Sequence, residues 1–202
     1  MSSLDEVKLV MKRIASIEGV GEHLCFFGGS IPYIHFNEQS NREHSDIDVL
    51  VEEECMGIIR QIAQQSDHYH PELDSINLGL EGDYGLKIFI GGVYVEFEPM
   101  IIKDGVFIRK SFSPNKKLAG MEQIPFSKLD DLIISTTIDG VKTFCESMEM
   151  IKVSKEQYLR EKDVKDIEFI DSHGIDAEKY ARVKRAMAAL KTDVVEYTDY
   201  IM

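Results

Sequence analysis

Three short motifs carry side chains able to do chemistry together. Gly28-Gly29-Ser30 follows the apolar run Leu24-Cys25-Phe26-Phe27. Glycines at a strand-to-helix turn let backbone N–H groups approach a phosphate closely, and a serine there adds a hydroxyl donor. Asp46-Ile47-Asp48 puts two carboxylates at i and i+2, on one face of a strand, where hard oxygens suit Mg²⁺ bound jointly with phosphates. Glu96, with Glu98 two residues on, lies on a later strand. A third carboxylate there can complete a site for one or two metal ions, or take the proton of an incoming hydroxyl. Each motif alone has a plain alternative: a capped turn, a solvated strand face, the polar side of a hairpin. Their order along successive strands favours a single site.

The elements that must position them are legible in the pattern. Ser3 with Glu6 forms a capping box ahead of Leu4, Val7, Val10, Met11, Ile14 and Ile17 at helical spacing, with Gly19 and Gly21 as the stop. Residues 24–27 read as a buried strand, and Ser30-Ile31-Pro32 as the start of a short helix. Residues 46–51 alternate as a strand, and Cys55, Ile58, Ile59, Ile62 and Ala63 give a helix its apolar stripe. A hairpin follows around Gly91-Gly92, closed by Pro99, then a strand pair around Asp104-Gly105. From Ser127 onward the patterns read as helical, with capping boxes at Ser127/Asp130 and Ser154/Gln157 and a helix from Asp176 past Leu190.

Composition narrows the function classes. The 202 residues carry 36 acidic side chains against 23 Lys and Arg, a formal charge of −13. At 44% hydrophobic and 29% charged, the chain reads as an ordinary soluble globular protein. No apolar run reaches the ~18–20 residues of a membrane span. The start Met-Ser-Ser-Leu-Asp-Glu lacks the basic and apolar blocks of a signal peptide, so a cytoplasmic protein is expected. Cys25, Cys55 and Cys145 have neither disulfide-framework nor zinc-ribbon spacing. The acidic balance argues against nucleic acid as a partner and favours cationic ligands or metal-carried anions.

Gly28-Gly29-Ser30, then Asp46-Ile47-Asp48-Val49, then the strand Val95-Glu96-Phe97 together resemble the nucleotidyltransferase superfamily that includes DNA polymerase beta. Arg42-Glu43-His44-Ser45-Asp46-Ile47-Asp48 and Val95-Glu96-Phe97-Glu98-Pro99 are most similar to the lincosamide and aminoglycoside nucleotidyltransferases, and also to toxin-type members of bacterial defence systems. The resemblance spans roughly residues 20–110. It implies an α+β fold: a mixed sheet with helices on one side in residues 1–125, followed by a helical C-terminal lobe in 126–202, with the cleft between them. It further implies that Asp46 and Asp48 hold Mg²⁺ bridging a triphosphate such as that of ATP, that Gly28, Gly29 and Ser30 hold the outer phosphates, and that Glu96 binds a second metal or takes the acceptor's proton. Many members carry Asp where Glu96 stands, and Glu98 competes for the role. Arg42 and His44 would neutralise phosphate charge, with a capping role as the alternative for His44.

A helical wheel of residues 158–172 puts Asp163 and Asp166 inside the apolar stripe of Leu159, Ile167 and Ile170. Either they pair with cations such as Arg160 or Lys162, or this helix faces the cleft. Lys162-Asp163-x-x-Asp166-Ile167 also resembles a Lys-Asp-x-x-Asp-Leu/Ile element of this branch. That implies Lys162 reaching the triphosphate and Asp163 orienting it or the acceptor.

The leading expectation is an Mg²⁺-dependent enzyme that moves a nucleoside monophosphate from a nucleoside triphosphate to a small hydroxylated acceptor, an antibiotic among the candidates, and releases pyrophosphate. The alternatives are a toxin-type enzyme acting on tRNA or protein, with Lys110, Lys116 and Lys117 as its phosphate patch, and a non-catalytic nucleotide-binding module. A homodimer stays open, and no membrane partner is expected.

Overall fold

Alternating apolar residues and glycine-bearing turns build one nine-stranded mixed sheet. The computed structural model describes residues 3–40, 43, 44 and 46–197. The elements run α1 (Leu4–Ala15), β1 (Leu24–Phe27), α2 (Ile31–His35), β2 (Asp46–Glu52), α3 (Met56–Gln64), β3 (Leu86–Ile90), β4 (Val93–Lys103), β5 (Val106–Ser113) and β6 (Leu118–Pro125). Then come β7 (Ile133–Ile138), β8 (Val141–Glu146), α4 (Met148–Glu156), α5 (Glu161–His173), α6 (Ala177–Ala188) and β9 (Lys191–Glu196). The strand order is β7-β8-β1-β2-β4-β5-β6-β9, with β3 on the first half of β4. β1 is antiparallel to β2, while the β1–β8 and β2–β4 pairs are parallel. A parallel neighbour needs a crossover, and the segment containing α3 supplies it between β2 and β4.

Period-2 alternation gives the sheet two different faces. Leu24, Phe26, Ile47, Val49, Val51, Val95 and Phe97 point one way and pack against α1 and α3. Cys25, Leu50, Met100, Phe107 and Ile124 point the other way, against Met150 and Val153 of α4 and Val183 and Met187 of α6. Asp46, Asp48, Glu96 and Glu98 share the parity of this second set. The acids therefore lie on the face covered by α4 and α6, and the α+β class is as expected. Among the described residues no helix is long and apolar enough to cross a membrane.

Several local expectations are met. Ser3 Oγ accepts from Glu6 N–H at 3.3 Å while Ser3 N–H donates to Glu6 Oε2 at 2.7 Å, closing the capping box of α1. Asp104 and Gly105 turn β4 into β5 with φ of 52° and 74°, the positive values that such two-residue hairpins require.

Others need correction. α1 stops at Ser16, ahead of Gly19, and β4 runs through Pro99, paired with Val51, to Lys103. α3 buries Met56, Ile59, Arg60 and Ala63, leaving Ile58 and Ile62 exposed, because Arg60 turns inward to Asp74 and Asp83. The helical reading from Ser127 fails at residues 133–146, which form the β7–β8 hairpin beside β1. Ser154 and Gln157 lie at the C-terminal end of α4, whose N-cap is Ser147, so they form no capping box. α6 starts after Asp176 as expected but ends at Ala188, and Leu190 leads into β9.

Candidate active site

β1 ends in the turn that carries Gly28, Gly29 and Ser30. Gly28 has φ +91°, and a Cβ there would stand 2.6 Å from Asp48 Oδ2, so only glycine lets this backbone lie against the carboxylate. Ser30 is buried at the head of α2 and makes no side-chain cap bond, and Pro32 presets the first turn. Across the sheet, Phe27 pairs with Asp48, and Asp48 pairs with Glu96 on the neighbouring parallel strand. Adjacent strands lie about 4.8 Å apart, so Asp48 and Glu96 leave the same row on the same face.

Gly28, Gly29, Ser30, His44, Asp46, Asp48, Lys155, Arg160 and Lys162 line one cavity of about 200 Å³. Its wall from the sheet is acidic, and its wall from α4 and the start of α5 is basic. Behind the basic wall, Asp163 and Asp166 have no exposed surface. Asp163 Oδ2 accepts from Arg160 Nε at 2.6 Å, and from the Arg160 backbone N–H at 3.1 Å. Lys155 Nζ lies 2.7 Å from Asp166 Oδ2 and 3.4 Å from Asp163 Oδ1. His44 is buried edge-on to Tyr33, with its Nε2 2.9 Å from Ser40 Oγ. Among the described residues Lys162 has no carboxylate partner.

Glu96 and Glu98 open onto an adjoining cavity of about 690 Å³, which Lys87, Tyr94, Phe112, Lys116, Glu122 and Thr192 also line. Glu96 is ion-paired with the buried Lys87, its register partner on β3. The acids press on one another. Burial pushes the Asp48 carboxyl well above its usual range, and Asp46, Glu98 and Glu96 push it further against the pull of Lys87. Burial likewise lifts Glu98 to about 7, against Arg109. Tyr94 rises to about 12 through burial, then Glu96 and Asp46. As the side chains stand, no group of three His, Cys, Asp or Glu among the described residues is gathered tightly enough to hold a metal ion. The Lys87 pairing engages the third acid.

Of the residues singled out in the sequence, Gly28, Gly29, Ser30, His44, Asp46, Asp48 and Lys162 converge on the smaller cavity, and Glu96 and Glu98 on the larger. Asp163 lines neither; it holds Arg160 and Lys155 from behind. Arg42 lies outside the described residues. Sequence reasoning missed Lys155 and Lys87, and saw Arg160 only as an ion-pair partner. The signal for Lys155 was present: two aspartates in an apolar stripe demand more than one nearby cation.

A glycine-rich turn, an aspartate pair on the next strand and a carboxylate on its parallel neighbour thus sit on a mixed sheet with α4 and α6 over one face. It is the fold that the resemblance implied, and solved structures share it. Similar solved structures include the antibiotic-resistance factor ANT(2'')-Ia in solution, at 18% identity over 93% of this chain and 94% of its own, with a TM-score of 0.56. A crystal structure of ANT(2'')-Ia in complex with adenylyl-2''-tobramycin matches at 19% identity over 92% and 98%, TM-score 0.54. The lincomycin-bound lincosamide antibiotic adenylyltransferase LnuA matches at 17% identity over 84% and 97%, TM-score 0.53. No family model and no curated protein matches the chain by sequence.

Proposed function

We propose that this protein transfers a nucleoside monophosphate from a nucleoside triphosphate, ATP being one candidate, to a hydroxyl of a small acceptor of the antibiotic class, releasing pyrophosphate. The observation that carries the reading is the cavity in which the Gly28–Ser30 turn, Asp46 and Asp48 face Lys155, Arg160 and Lys162. Similarity to ANT(2'')-Ia and LnuA, solved with an adenylylated aminoglycoside and with lincomycin, supports an antibiotic acceptor.

Residues 1–125 supply the turn and the acids, and residues 126–202 supply the cations. The backbone N–H groups of the turn and the Ser30 hydroxyl bind the outer phosphates, while Lys162, Lys155 and Arg160 balance their charge. Asp46 and Asp48 would hold Mg²⁺, and Glu96, once released from Lys87, would either bind a second ion or take the acceptor's proton; hard carboxylate oxygens suit the ion, which when bound would neutralise phosphate charge and acidify the attacking hydroxyl. The acceptor occupies the larger cavity. Its hydroxyl oxygen attacks the α-phosphorus in line, its proton passes to Glu96 where that acid binds no second ion, and the bond to the pyrophosphate oxygen breaks, that group leaving along the basic wall. The work is positioning and charge balance, which suits a site with no activated nucleophile of its own.

Every group in this scheme comes from one chain, so a homodimer adds none of them. The reaction's need for nucleoside triphosphate fits a cytoplasmic protein. Lys110 is paired with Glu53, which weakens the basic patch that a tRNA substrate would need. The test is incubation with Mg²⁺, each nucleoside triphosphate and panels of aminoglycosides and lincosamides, reading pyrophosphate and the mass of the acceptor. An acceptor heavier by one nucleoside monophosphate supports the reading. Label carried only on RNA or protein, or nucleotide binding without pyrophosphate, overturns it.

A further inference from the structure

The aspartates of α5 are more deeply buried than the cations they hold. Asp163 and Asp166 are fully enclosed, whereas Lys155 keeps a small exposed surface that lies in the wall of the smaller cavity. Two buried carboxylates give no stability advantage over well-packed apolar residues, so their presence asks for another reason. The geometry supplies one. Asp166 Oδ2 lies 2.7 Å from Lys155 Nζ on α4, and its other oxygen accepts from Tyr33 O–H at 3.0 Å. Tyr33 belongs to α2, the helix that begins at the Gly28–Ser30 turn, and its ring stacks on Phe169 of α5 at 4.3 Å between centroids. The chain Tyr33–Asp166–Lys155 thus ties the helix behind the turn to the ammonium group facing it.

We propose that Asp166 and Tyr33 are positioning residues that aim Lys155 at the outer phosphates of the nucleoside triphosphate, an inference that rests on the transfer function above. A lysine ammonium has three donors, and Asp163 and Asp166 engage two of them. The third is left for a ligand in the cavity. A flexible four-carbon side chain loses much rotamer freedom when it grips a phosphate; holding it beforehand removes that cost from binding. Arg160, more than half exposed and held by Asp163, is fixed at the same rim by the same device. Two buried acids thereby hold two cations at one wall, and the assembly is close to neutral until a polyanion enters.

The probe is inorganic tripolyphosphate with Mg²⁺, titrated calorimetrically into the full chain, beside steady-state kinetics with the triphosphate and the acceptor varied separately. Asp166→Asn and Tyr33→Phe weaken tripolyphosphate binding, Asp166→Asn by about 10-fold as expected for loss of a charge-assisted contact. Both raise KM for the triphosphate while KM for the acceptor stays within about twofold. Tyr33→Phe keeps the ring that packs on Phe169, so it remains informative if Asp166→Asn unfolds; Asp166→Glu restores binding in part. Wild-type tripolyphosphate affinity in a folded Tyr33→Phe and Asp166→Asn overturns the inference, as does an equal rise in both KM values, which marks a structural role only. A wild-type protein that binds neither tripolyphosphate nor any nucleoside triphosphate overturns the transfer reading itself.

Discussion

Gly28 and Asp48 form a contact that admits no side chain at position 28: a Cβ there would meet Asp48 Oδ2 at 2.6 Å. The Gly28–Ser30 turn and the Asp48 carboxylate therefore fix each other's place. Gly28→Ala combines this clash with a φ of +91°, a region that costs a residue bearing a Cβ about 1–3 kcal/mol. We expect a lower melting temperature and a fall in transfer of at least ~100-fold, since an ångström of misplacement costs that much. Pyrophosphate release beside a melting curve measures both; wild-type turnover in the alanine variant would detach Asp48 from the chemistry.

Asp48→Asn separates activity from stability. The Asp48 carboxyl is raised in the fold by burial first, then by Asp46, Glu98 and Glu96. A group raised in this way contributes stability at low pH that is lost as pH rises through its folded value. Without metal, the asparagine variant is therefore at least as stable as wild type at pH 8, and its advantage shrinks toward acid pH. Added Mg²⁺ stabilises wild type more than the variant by mass action, and transfer is abolished. Thermal scans at two pH values with and without Mg²⁺ test all three; equal Mg²⁺ stabilisation of both proteins removes Asp48 as a ligand.

Glu96 and Glu98 differ in what stands opposite them. Glu96 is paired in register with Asp48, whereas Glu98 faces Leu50. On that ground Glu96→Gln lowers kcat by about 10²–10⁴, the range for a lost proton acceptor, while Glu98→Gln costs far less. Parallel kinetics on the two variants decide it, and the reverse ranking would move the third acid to Glu98.

The legible parts of this molecule were the ones written in adjacent residues. Gly28-Gly29-Ser30, Asp46-x-Asp48 and the Gly91-Gly92 hairpin each depend on local backbone chemistry, so spacing alone placed them. The β7–β8 hairpin carried an equally local sign, Asp139-Gly140 with φ of 46° and 84° between β-branched runs. It was overridden by a composition that reads as helical from Ser127 on. Lys155 and Arg160 could be seen only after folding, because what makes them a wall is α4 packed on α5 with Asp163 and Asp166 enclosed between. Lys87 is similar: its meaning comes from its partner Glu96 on the facing strand.

A buried charge cluster beside the larger cavity gives a pH-dependent prediction. Arg109 lies over the Phe27 ring, with its Nε 2.5 Å from Glu122 and a second nitrogen 3.7 Å from Glu146. Burial lifts the Glu146 carboxyl from 4.5 to about 6 against the pull of Arg109. The raised value means that Glu146 supports the fold below pH 4.5 and loses that support as pH climbs through about 6. Glu146→Gln removes this titration, so its stability relative to wild type should improve by about 2 kcal/mol between pH 4 and pH 8. Arg109→Met acts with the opposite sign. It leaves Glu98, Glu122 and Glu146 without their shared cation, and at pH 8 it should cost about 3–5 kcal/mol, less in acid where the carboxyls protonate. Urea midpoints at the two pH values measure both variants, and parallel pH profiles for wild type and Glu146→Gln would show that this carboxyl titrates normally in the fold.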